Sequence, residues 1–179
     1  LASIGDNATT LVPRLLEIIK DDPAWYVRRN AAMALAKIKG VDQATLAAAA
    51  QAVVLDPQED VQMYAGGLLK RLDDGGASLV PILIPRVADA SISVGGRMKV
   101  IETLAVVGSE SREAHAAILA VAMTPAKPPQ ARYAALRVLP LFVNQKDATI
   151  AAITPLLKDE DSTLRRSART ALEKLGAVI

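Results

Sequence analysis

The chain has 179 residues, 51% of them hydrophobic and 22% charged, with a net charge of +2. That balance excludes an intrinsically disordered segment, and the charge is too small to specify a nucleic-acid partner by itself. The absence of cysteine removes disulfide frameworks and thiolate metal sites, and leaves a cytoplasmic and an exported location both open.

The chain begins LASIG, residues 1–5, which matches LAKIK, residues 35–39, at a shift of 34. Residues 1–6 therefore read as the tail of a preceding repeat, and the chain as a segment of a longer protein. In LVPRLLEIIK the apolar residues Leu11, Leu15, Ile18 and Ile19 recur at helical spacing and predict a first helix. Pro13 follows Thr10 in its first turn, where proline sacrifices no intrahelical hydrogen bond. Asp22-Pro23 then breaks the chain, and a second helix carries Ala31, Leu35 and Ile38 on one stripe. Trp25 and Tyr26 sit at that break, either stapling the helix entry or facing a partner. The next apolar run, ATLAAAAQAVVL at 44–55, is too short to span a bilayer, and no membrane span is expected.

The same pattern returns along the chain. A shift of 34 places Val27 on Val61 and Leu35 on Leu69; 69 places Arg28 on Arg97; about 104 places it on Arg132; 137 places Arg28-Arg29 on Arg165-Arg166. Internal repetition of this period signals a stacked array of helical hairpins. The expected repeats run approximately 7–40, 41–76, 77–108, 109–146 and 147–179. The second copy carries Gln62 in place of the arginine. The fourth loses the Asp-Pro turn to TPAKPPQ, residues 124–130, and Pro140 predicts a kink. Gly40, Gly75-Gly76, Gly108 and Gly176 are expected to close successive second helices. Gly66-Gly67 are read as allowing close helix approach, and Gly95-Gly96 as starting a helix.

Little in the sequence supports catalysis. His115 is the sole histidine, so any Ser-His-Asp site would rest on it alone; in EAHAAIL it reads as a surface or packing residue. No phosphate-cradling GxxxxGK[ST] occurs. The acidic clusters lack calcium-loop spacing and sit at helix N-termini, where carboxylates suit the helix dipole. No cofactor and no metal are expected. The arginine column Arg28, Arg97, Arg132 and Arg165, one per repeat just after a turn, is expected to form a structural ladder of inter-repeat ion pairs and carbonyl contacts, a role that suits the planar guanidinium.

The motif DDPAWYVRRNAAMALAKIKG resembles the HEAT family of helical repeats, whose short bacterial type reads Asp-Pro-x-x-x-Val-Arg-x-x-Ala-Ala-x-x-Leu. The resemblance extends over essentially the whole chain. It implies an all-α, right-handed α-solenoid of about five HEAT-like helical hairpins, with first helices convex and second helices lining a concave side. HEAT-like enzymes such as the deoxyhypusine hydroxylases use paired His-Glu motifs, which one histidine cannot build. Of the 21 Lys+Arg residues, 14 fall on the expected second helices, against five acids. A positive concave face attracts acidic partners. Arg29, Lys37, Arg71, Lys99, Arg137, Arg166 and Arg169 are its candidate binding residues. The expectation is a non-enzymatic protein–protein interaction scaffold whose partner is a protein or acidic peptide. The alternative is duplex DNA bound through the basic face; oligomeric state stays open.

Overall fold

The structure is a computed structural model that describes residues 8–125 and 129–178. The tail expected at residues 1–6 and the central part of the TPAKPPQ insertion lie outside the described residues. All regular structure among the described residues is helical, with no strand. The chain divides into two compact units, Leu1–Leu79 and Val80–Ile179.

In the first unit the helices are α1 Val12–Asp21, α2 Trp25–Leu35, α3 Gln43–Val54, α4 Glu59–Gln62 and α5 Ala65–Leu69. Pro13 lies in the first turn of α1, where its missing N–H is no loss. Helix α1 packs on α2 and α3, and α3 packs on α5. Ile19, Ala32, Leu35, Leu46, Ala49, Ala50, Val53 and Leu68 form a core closed to solvent. Alanine at the contact faces lets helix axes approach closely at no side-chain entropy cost. Asp42 caps α3: its carboxylate accepts the Thr45 N–H at 2.8 Å and the Thr45 hydroxyl at 2.7 Å. The Thr45 N–H is the main reason that Asp42 titrates below the ordinary aspartate range.

The second helix expected over 58–72 is divided. Helix α4 stops at Gln62, and α5 begins at Ala65 after a turn at Met63 and Tyr64. Two glycines in the following turn lower the helical preference of this stretch. Neither is forced by space: a Cβ on Gly67 would lie 3.4 Å from the Ala36 Cβ, a van der Waals contact, and Gly66 has nothing within 4 Å.

The second unit contains α6 Val80–Leu83, α7 Val94–Val107, α8 Arg112–Met123, α9 Gln130–Val138, α10 Lys146–Ile153 and α11 Ser162–Lys174. Helix α9 lies against α7, α8 and α11. Ser93, Ser111 and Asp161 cap α7, α8 and α11 by accepting backbone N–H groups in the first turn, each cap contributing ~1 kcal/mol. The Gly95-Gly96 pair lies in that first turn of α7. Pro140 ends α9 rather than kinking it, and the chain continues through a 3-10 turn, Leu139–Leu141. Loss of the proline N–H and its clash with the preceding turn account for the change.

The closing glycines divide by cause. Gly40, Gly75, Gly76 and Gly176 have positive φ, as expected of C-terminal glycines. Gly108 does not: its φ is −114°, and what it lacks is room. A Cβ there would meet the Ala114 Cβ at 2.8 Å, the Leu104 carbonyl at 2.9 Å and Val80 at 3.1 Å.

Gly108→Ala is accordingly expected to destabilise the fold by ~1–3 kcal/mol through overpacking, measured by urea denaturation. Leu35→Ala and Leu104→Ala, both at 0% exposure, should each cost ~2–5 kcal/mol. Leucine variants as stable as the parent would contradict this core assignment.

Candidate functional site

Several turns among the described residues share one chemistry. Asp22, Asp56, Asp89 and Asp159 each accept the N–H two residues on, from Ala24, Gln58, Ser91 and Asp161, at 2.8–2.9 Å. The aspartate fixes the turn by standing in for a backbone acceptor. Arg28 then joins two such turns. Its Nε and Nη2 donate to the two oxygens of Asp56 at 2.6 and 2.9 Å, and its Nη1 donates to the carbonyls of Asp22 and Pro23 at 2.7 and 3.3 Å. The two side chains are 11% and 3% exposed, so this is a buried, bidentate, charge-assisted pair.

The other turn positions vary this scheme. Gln62 donates to the Asp56 carbonyl at 2.6 Å, reproducing the carbonyl contact of an arginine without its charge. Arg165 donates to the carbonyls of Asp159 and Glu160 at 2.8 and 2.9 Å. Arg132 gives its Nε to the Ala122 carbonyl at 3.0 Å and brings Nη2 to 3.5 Å from Asp159. The Nε of Arg97 is buried and has no partner among the described residues. Leaving such a donor unsatisfied costs ~1–3 kcal/mol.

A groove of about 390 Å³ lies along α7, α9 and α11. Its floor is apolar, with Met98, Ala134, Leu136 and Ala171; Arg137, Arg166 and Lys174 bring positive charge to it. Arg137 and Lys99 converge on one acid, Glu102, the lysine at 3.0 Å. Arg166 and Lys174 are exposed, and among the described residues no acid lies within ion-pair distance of either. Tyr133, also lining the groove, donates its hydroxyl to Asp161. That bond is the largest cause holding Asp161 below the ordinary aspartate range, and it raises the Tyr133 phenol. Thus the structure brings Lys99, Arg137 and Arg166 into one neighbourhood, joined by Lys174. Arg169 is exposed on α11 and does not line the groove.

The candidates of the first unit have separate surroundings. Arg29 lies over the Trp25 ring, 5.2 Å from its centroid, a cation–π contact. Trp25 is half-buried and meets Tyr26 edge-on. Lys37 is exposed. Arg71 is turned to the backbone at and just past the end of α2: Nη1 and Nη2 donate to the carbonyls of Leu35 and Ile38 at 2.8 and 2.5 Å. It satisfies the end of α2, and that work occupies the guanidinium expected to face a partner.

His115 is 6% exposed, with its Nε2 2.8 Å from the Thr149 hydroxyl. That hydroxyl also lies 2.9 Å from the Gln145 carbonyl, so imidazole, hydroxyl and carbonyl form one buried hydrogen-bonded chain. Phe142 packs edge-on at 5.4 Å, and burial holds the imidazole below its ordinary pKa. Glu102 and Thr149 lie 35 and 34 residues from the partners that define them, Arg137 and His115; sequence spacing close to one repeat is the signal that links each pair. Among the described residues no three acids or histidines cluster as a metal site, and no helix is long and apolar enough to cross a membrane. No family model and no curated protein match the chain.

Asp56→Asn retains a turn acceptor but removes the charge facing Arg28. It should cost about 3–5 kcal/mol, the scale for breaking a buried pair, with Arg28→Met/Asp56→Leu recovering part of the loss. His115, whose folded pKa is depressed, contributes stability that is complete above its unfolded pKa near ~6.5. That contribution declines as pH falls below this value toward the native pKa, because the unfolded chain takes the proton first. His115→Gln should flatten the pH dependence of urea stability between pH 7 and 5; an unchanged slope would contradict the burial argument.

Proposed function

We propose that the chain is a non-enzymatic protein-interaction scaffold, a right-handed α-solenoid of HEAT-like hairpins, and that it holds an acidic, partly apolar peptide segment along α7, α9 and α11. The observation that carries the reading is the groove itself. Its apolar floor offers area to bury, and Arg166 and Lys174 offer charge that the described residues leave uncompensated. A peptide placing leucines on the floor and carboxylates beside those cations would satisfy both. Duplex DNA is the weaker reading: Arg166, Arg169 and Lys174 would suit phosphates, but the floor of Met98, Leu136 and alanines gives a polyanion nothing to contact.

Selection of binders from a displayed library of 12-residue peptides tests this. Enrichment of sequences mixing Asp/Glu with Leu/Ile is expected. Arg166→Ala/Lys174→Ala should weaken a selected peptide about three- to thirtyfold, since each rim charge contributes ~0.2–1 kcal/mol and its screening is relieved as the groove is covered. A library yielding no binders, together with salt-dependent retention of a 20-bp duplex, would replace the peptide reading with the DNA one.

A further inference from the structure

A second cavity of about 290 Å³ lies near the first turn of α7, walled by Ile84, Val87 and Val121 and also lined by Arg97, Arg132 and Thr124. At roughly 30 Å³ per water, it has the volume of about ten waters. Its chemistry is defined by what Arg97 lacks. Arg28 finds its carboxylate on Asp56 and Arg132 approaches Asp159, residues 28 and 27 positions further along. The residue 27 positions after Arg97 is Thr124. Thr124 terminates α8 with φ −81° and ψ 119°, the extended conformation in which Asp22 and Asp159 end their own helical segments. The chain therefore places a threonine at the acid's post, beside a guanidinium whose Nε is buried and has no partner among the described residues.

We propose that this cavity is a binding site for a carboxylate borne on a short apolar group. The carboxylate takes the place of the missing aspartate on Arg97, and the apolar part lies against Ile84, Val87 and Val121. A carboxylate is favoured over a bulkier dianion because only one guanidinium is free to meet it: Arg132 is engaged by the Ala122 carbonyl and Asp159. The planar fork of Arg97 matches two coplanar oxygens. Two sources carry this chemistry, the free C-terminus of a peptide ending in leucine or valine and a free branched-chain carboxylic acid. The proposal is independent of the groove on α7, α9 and α11.

Thermal unfolding of the 179-residue chain tests it, with 4-methylpentanoate, an acetylated tripeptide ending in free leucine, and the two corresponding amides as probes. At least one carboxylate should raise the midpoint saturably, by about 3–5 °C at ten times its half-saturating concentration, while its amide leaves it unchanged. The carboxylate that responds identifies the source. Thr124→Asp, which supplies the acid internally, should raise the midpoint without ligand and abolish the response; Arg97→Leu should abolish the response. The proposal is overturned if neither carboxylate gives a saturable shift, if the amides act equally, or if Thr124→Asp binds as the parent does. Should Arg97→Leu fail to fold, Thr124→Asp still decides, because it leaves Arg97 in place.

Discussion

A guanidinium removed from water must be met by carbonyls and a carboxylate, and the turns of this protein are built around that requirement. The clearest case is Arg28, which holds the carbonyls of its own turn with one amino group and the carboxylate of Asp56 with the remaining N–H groups. Desolvation makes such a pair costly to form, and its net contribution depends on the geometry being complete. Completeness constrains the neighbours: the preceding helix must end so that its last carbonyls face the arginine, and the next turn must present an aspartate at the right depth. Arg132 meets part of the requirement, Arg165 keeps the carbonyl contacts while exposed to water, and Gln62 avoids it by carrying no charge.

Around these polar joints the packing relies on small side chains. Ala49, Ala50, Ala105, Ala114, Ala135 and Ala168 are all fully buried, so helices meet close to backbone contact. Close contact leaves little tolerance, and Gly108 marks the limit, where even one methyl group has no place. A core of this kind gains less from each residue than one built of large aliphatics, and offsets this by how near the helices come.

The all-helical class was legible because apolar positions recur at helical spacing and prolines fall in first turns or at ends. The repetition also isolated the arginine column, since a guanidinium returning at a fixed interval after a turn is a pattern of one chemistry. Spacing could not tell what each member touches. Arg97 looks like Arg28 in the sequence, and only placing Thr124 at the end of α8 reveals the absent acid. Similarly, Arg71 reads as a free surface cation until its guanidinium is found on the carbonyls of Leu35 and Ile38. The crowding at Gly108 depends on Val80, 28 residues away, and on local sterics, which a linear pattern does not encode. Of the groove, the cations were visible beforehand. The Glu102 that ties Lys99 to Arg137 acquires its meaning only when α7 and α9 are side by side.

Asp56 serves two turns at once: it accepts the Gln58 N–H of its own and neutralises the arginine of the one before. Local opening of the chain at Asp56 would therefore strand a buried charge elsewhere, so the two stretches are bound to exchange their amide protons as one cooperative segment. Thr124 ends α8 without an acid, and Arg132 holds that helix end through the Ala122 carbonyl instead. The turns are thus unequally fastened, one by a complete buried ion pair and another by a guanidinium–carbonyl contact.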